Sequence, residues 1–138
     1  MNKIYDIFLD ENRIGTTELE RADAPMGVVF GQIKFIDITS GYEFFKQYCL
    51  DHAIEFTDYP ETKLIMTRSI PNLKVINTEG IEIKGIGTDV SGSDGDTFDI
   101  TILGISYPLY AEEFPYHIKA YNEMFSITTE NIIERDSS

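Results

Sequence analysis

Cysteine, histidine and tryptophan are nearly missing from this sequence: one Cys, two His and no Trp. The single thiol, Cys49, excludes an internal disulfide and any zinc site built on two thiolates. With only His52 and His117 beside it, few residues remain for a soft-metal site, and no metal or other cofactor is expected. No apolar run approaches the ~20 residues needed to span a bilayer. A leader peptide needs a cationic stretch followed by unbroken apolar residues. Here Asp6 interrupts the first apolar run, and Asp10 and Glu11 close it. A cytoplasmic protein is the expectation, in a reducing compartment that suits a lone thiol.

Positive charge is scarce too. Eleven Lys and Arg stand against 24 Asp and Glu, a net charge of −13. Such a chain repels the nucleic-acid backbone and anionic membrane surfaces and attracts basic partners. The excess is not an acidic tail but a bias. Residues 71–138 hold 12 acids and four bases, which is −8 of the −13.

What is present suits one domain, 1–138. A chain of 138 residues, 42% of them hydrophobic and including eight Tyr and nine Phe, can bury a core without staples. Two apolar runs, Ile4–Leu9 and Arg13–Leu19, flank Asp10-Glu11-Asn12 and read as a hairpin. Ala24-Pro25-Met26-Gly27 reads as a tight turn. Val28–Ile38 reads as a strand whose apolar phase changes. Either a bulge at Gly31 brings Val28, Phe30, Ile33 and Phe35 to one face, or the strand is buried on both.

Ser40 and Glu43 match a capping box before a helix over Gly41–His52, whose stripe is Phe44, Phe45, Tyr48 and Cys49. Strands are expected at Lys63–Arg68, Leu73–Asn77, Ile81–Thr88 and Thr97–Ser106, the last stopped by Tyr107-Pro108. Ala53–Phe56 is a short strand or the exit from the helix. A final helix over Glu112–Phe125 follows from the spacing of Phe114, Ile118, Tyr121 and Phe125, and residues 128–138 read as a polar, frayed tail. The fold class is therefore α+β: a mostly antiparallel sheet of about six strands with two main helices packed on it.

Few constellations can carry chemistry. Cys49 and His52 stand three apart on one helix, where a thiolate pair can form, but Cys49 also lies on the apolar stripe. The segment 85–96 is rich in Gly, Ser and Asp. An EF-hand is excluded because its sixth position is Asp94 and its twelfth is Ile100, which leaves a looser oxygen site open. A phosphate-cradling loop lacks its glycine spacing and its lysine. The remaining reading is a hairpin connection that gathers Asp89, Asp94, Asp96 and Asp99 at a loop tip. Tyr107 to His117 is aromatic and acidic, either a packed crossover or an interface patch. No basic patch with interleaved aromatics suits nucleic acid, and no nucleophile elbow is present.

The segments Ile14–Glu20, Ala24–Gly31 and Tyr107-Pro108-Leu109-Tyr110 resemble small acidic bacterial proteins similar to the immunity proteins of toxin systems. The resemblance implies a small cytoplasmic protein that occludes a toxin, often a basic nuclease. The leading expectation is thus a non-enzymatic protein-binding module. Asp94, Asp96, Tyr107, Tyr110, Glu112 and Glu113 are its candidate contacts to a basic protein. The alternatives are a small enzyme or ligand-binding domain with a pocket at Cys49, His52 or His117, and a structural subunit of a homo-oligomer.

Overall fold

The computed structural model describes residues 3–124. In chain order the elements are β1 (Tyr5–Leu9), β2 (Asn12–Thr17), β3 (Arg21–Asp23), a 3-10 turn (Ala24–Met26), β4 (Val28–Gln32), β5 (Lys34–Phe35), α1 (Gly41–Asp51), β6 (Phe56–Tyr59), β7 (Leu64–Thr67), β8 (Leu73–Ile76), β9 (Gly87–Ser93), β10 (Phe98–Leu103) and α2 (Tyr107–Glu113). Residues 115–124 are also helical. The class is α+β and mostly antiparallel sheet. The strands divide between two sheets, one of four in the order β5-β2-β1-β8 and one of six in the order β3-β4-β10-β9-β7-β6. The expected tail at 128–138 lies outside the described residues.

Alternation explains how the sheets meet. In β1, Tyr5, Ile7 and Leu9 are buried while Asp6 and Phe8 are half-exposed. In β10, Phe98, Ile100 and Ile102 are buried and Asp99, Thr101 and Leu103 are not. Each sheet therefore has one apolar face, and these faces share a single cluster of buried side chains that also takes in Phe45 and Cys49 of α1 and Tyr110 of α2. The expected capping box holds at its first half: Ser40 Oγ accepts the Glu43 N–H at 3.1 Å and starts α1. At the other end of α1, Ala53 takes a left-handed φ of 55° and the Ile54 N–H reaches Cys49 O at 2.9 Å, closing the helix.

Four expectations are corrected. There is no bulge at Gly31. Pairing with β10 runs without a shift from Val29 to Gln32, and Phe30 faces outward. The phase change arises because the chain leaves one sheet for the other at Ile33, between β4 and β5. Gly31 is small for a different reason: a Cβ there would lie 2.7 Å from Thr17 Oγ1 and 2.8 Å from Leu19 Cα, where the sheets come together.

The strand expected at 81–88 is mostly irregular. After an isolated bridge between Ile76 and Glu82, the chain must cross from the sheet of β8 to that of β9, and Ile86 N–H donates to Leu103 O at 2.7 Å on arrival. Of the loop expected at 89–96, only 94–96 form the turn of a hairpin; residues 89–93 belong to strand β9, which pairs with β10. Its sequence hides it because Val90 is its one fully buried apolar side chain, while Gly92 lies so near Phe98 that a Cβ would sit 2.5 Å from the Phe98 Cα. Finally, no strand passes Tyr107-Pro108, as expected, but β10 ends earlier, at Leu103, and helix begins at Tyr107 as α2, ahead of the start expected at Glu112. Helical structure pauses at Phe114, the residue before Pro115, where a following proline disfavours helical backbone, and resumes at 115.

Candidate binding surface

The inward faces of both sheets are sealed, so the chemistry open to a partner lies on the outward faces and the loops. The six-stranded sheet has the larger outward face. Its cross-strand rows are Arg21, Phe30, Thr101, Asp89; then Gln32, Asp99, Ser91, Met66, Thr57; then Ser93, Leu64, Tyr59. Helix α1 packs on β7 and β9 from the opposite side, through Phe45 and Cys49, and α2 sends Tyr110 and Phe114 inward. No described element lies on the outward face. Met66 and Tyr59 stand 43% and 51% exposed there.

Charge on this face is unevenly satisfied. Arg21 donates to Asp99 Oδ1 at 2.8 Å and places its guanidinium 4.8 Å from the centre of the Phe30 ring. Asp89 sits on the interior strand β9, half-buried. No hydrogen bond or ion pair among the described residues reaches its carboxylate, and burial raises its pKa above the ordinary carboxylate value. Because the folded value lies above the unfolded one, the folded state binds this proton more tightly. The stability it contributes is full in acid and is lost as pH rises through the folded value. Asp89→Asn is therefore expected to raise stability at neutral pH by about 0.5 kcal/mol or more, with the gain fading toward acid. Urea unfolding of both chains at neutral and acidic pH checks this; a less stable variant at neutral pH contradicts it.

The six residues expected to form a contact patch are divided between two ends of this sheet. Asp94 and Asp96 precede β10 and Tyr107 follows it, so a six-residue strand, about 20 Å long, lies between them. At the first end, Asp94 has a structural task. Its Oδ1 accepts the Tyr42 N–H at 3.0 Å and its Oδ2 accepts the Ser40 hydroxyl, which ties the β9–β10 turn to the start of α1. The Asp94 N–H donates to Lys63 O at 3.2 Å, bringing the β6–β7 turn alongside. Asp96, Glu43 and Glu61 are exposed at this end. Nearby, Tyr42 donates to Asp58 Oδ2, and Lys46 lies 3.1 Å from the same oxygen. These hydrogen bonds, from Tyr42 first and then Lys46, hold the Asp58 carboxyl below its ordinary value. Sequence reasoning missed this triad, although Tyr42 and Lys46 do stand one helical turn apart.

At the other end Tyr107 and Glu112 are exposed, but Tyr110 and Glu113 are not. Tyr110 is fully buried, with its ring 5.3 Å from that of Phe114 and its hydroxyl donating to Val28 O at 3.2 Å. Glu113 accepts from Lys3 Nζ at 3.0 Å, Tyr5 OH at 2.9 Å and Asn77 Nδ2 at 2.8 Å. Burial works to raise its pKa, but these donors outweigh burial and hold the carboxyl below the ordinary value. Both side chains bind the interior together and are not surface contacts. A cleft of about 330 Å³ opens beside Glu113, lined also by Lys3, Ile4, Asn77 and Thr78. The carboxylate is already saturated with donors on its protein side.

The pocket considered around Cys49, His52 and His117 does not form. Cys49 is sealed in the core and burial pushes its thiol up, away from thiolate chemistry. His52 is exposed, stacked 4.0 Å from Tyr48, and His117 Nε2 lies 2.9 Å from Leu19 O. The looser oxygen site across 89–96 is also corrected: Asp89, Ser91 and Ser93 alternate along an extended strand and do not encircle an ion. Among the described residues no group of three or more His, Cys, Asp or Glu is placed to hold a metal ion, and no helix is long and apolar enough to cross a membrane.

Comparison with family models, with curated proteins and with solved structures gave no match.

Proposed function

We propose that this chain is a non-enzymatic binding protein for a basic protein partner, acting as an immunity-type inhibitor of a basic bacterial toxin. The observation that carries this reading is the unmatched negative charge. Lys3, Arg13, Arg21, Lys46, Arg68 and Lys119 each lie within 4.0 Å of an acid of the same chain, so these cations are already engaged. Among the described residues Glu11, Glu61, Glu79, Asp96 and Glu112 are by contrast exposed and outside these ion pairs. Such a field accelerates association with a cationic partner and turns away polyanions. A cytoplasmic location goes with this reading, since an immunity protein meets its toxin inside the producing cell.

The test is affinity capture by the tagged chain, followed by isolation of the captured protein and titration of the pair. The expected partner is cationic, and its affinity falls about tenfold or more between roughly 0.05 and 0.5 M salt. A neutral or acidic partner, or binding indifferent to salt, overturns the reading. Expressing the captured protein alone separates the two halves of the proposal. Growth arrest relieved by co-expression supports inhibition; a harmless partner removes the toxin half and leaves the binding half standing.

A further inference from the structure

We propose that the outward face of the six-stranded sheet is the docking surface, with the Asp89 carboxylate receiving an arginine or lysine side chain that a basic protein partner presents from an apolar surface. This rests on the basic-partner reading above and adds the place and the anchor. Three observations lead to it. The face is uncovered by any described element and carries Phe30, Leu64, Met66 and Tyr59 among small polar residues, the mixture of aromatic and Met contacts with adaptable hydrogen-bonding groups found at interfaces. Asp89 is half-buried on an interior strand of that face, and no hydrogen bond or counterion among the described residues reaches it. Of the cations beside these rows, Arg21 is committed to Asp99 and to the Phe30 ring, and Arg68, just past the end of β7, lies 3.9 Å from Glu55 Oε2.

An isolated carboxylate held partly out of water weakens the fold that carries it, and an incoming guanidinium or ammonium removes that penalty on contact. A second copy of the chain is a poor occupant, because it would bring another uncompensated Asp89 and another acidic surface to the same place. The acidic turns at one end of the sheet, with Asp96, Glu43 and Glu61, then serve to steer the partner while Asp89 fixes its seat.

The experiment titrates the full chain, labelled for amide NMR, with a synthetic peptide of alternating arginine and leucine and with its glutamate–leucine counterpart. The arginine peptide is expected to shift amides of β4, β10, β9 and β7, and the glutamate peptide to leave them unmoved. Asp89→Asn is expected to weaken the arginine peptide about tenfold, while Glu79→Gln, which removes one charge from the other sheet's loop, weakens it less than about twofold. Shifts confined to the turns at 60–63 and 94–97, or equal losses in the two variants, overturn the docking face and leave the basic-partner reading intact. No binding of the arginine peptide also overturns the face, and the capture experiment then decides the basic-partner reading independently. A dimer by light scattering that Asp89→Asn strengthens overturns the face as well, by assigning it to a second copy.

Discussion

Tyr110→Ala is expected to lower the unfolding free energy by about 3–5 kcal/mol, the range for truncating a large aromatic in a packed core. The residue type and its position before two acids suggest a surface anchor, but the side chain is fully buried. Its ring packs between Tyr107, at 5.7 Å, and Phe114, at 5.3 Å, and its hydroxyl donates to Val28 O, which fastens α2 to the first residue of β4. Burial first, then the neighbouring Tyr107 and Asp23, push its phenol up to about 12, so the hydroxyl stays a donor throughout the ordinary pH range. Tyr110→Phe keeps the ring and loses one hydrogen bond, so it is expected to cost about 1 kcal/mol. Tyr107→Ala removes a ring that is 50% exposed and is expected to cost less than Tyr110→Ala by a wide margin. Urea unfolding of the three variants reads this order. A near-neutral Tyr110→Ala that weakens partner binding would return Tyr110 to the surface and undo the placement of α2.

How far the structure could be read in advance depended on whether two signals coincided. In α1 the apolar stripe of Phe45 and Cys49 falls behind a Ser40 cap, and in β10 Phe98, Ile100 and Ile102 alternate strictly with polar residues, so both elements were legible. Strand β9 was not, because its outward positions are Asp and Ser, its inward ones include Gly92, and only Val90 marks a core. A period of two reveals that one face is buried, not against which sheet. The crossing at Ile33 does leave a change of apolar phase, but that change reads equally as a bulge or a doubly buried strand, and the passages at 18–20, 36–55, 68–72 and 77–86 carry nothing local that names a second sheet.

The same limit governs the surface. Asp94 and Asp96 do occupy a turn, as their neighbours imply, but nothing local shows that Asp94 is spent on the amide and hydroxyl at the start of α1, 52 and 54 residues away. Asp89 reads locally as part of a loop, and its isolation on an open sheet face exists only once β9 is paired with β10 and β7. Glu112 and Glu113 are adjacent and identical in type. Helical geometry alone turns one outward and the other into the interior.

That buried member of the pair leads to the second large effect. Glu113→Ala is expected to cost about 3 kcal/mol at neutral pH. The change leaves a void at the end of α2 and strands the Tyr5 hydroxyl and the Asn77 amide, which now donate to its two oxygens, at 2.9 and 2.8 Å. Lys3 is half-exposed and can return to water, so its share of the loss is small. Asn77 also accepts from the Glu79 and Ile81 N–H groups, each at 2.9 Å, so a disordered Asn77 side chain loosens the turn that leads the chain toward β9. The folded pKa of Glu113 is depressed below its ordinary value of 4.5, which means the unfolded state takes up its proton first as the solution is acidified. Its contribution is full above that ordinary value and is lost as pH falls through the depressed one. The gap in unfolding midpoint between the parent chain and Glu113→Gln should accordingly be wide at neutral pH and close in acid, below the ordinary carboxylate range. A gap independent of pH would mean that Glu113 stabilises α2 by its shape alone, and that its charge contributes nothing to the junction of α2 with β1.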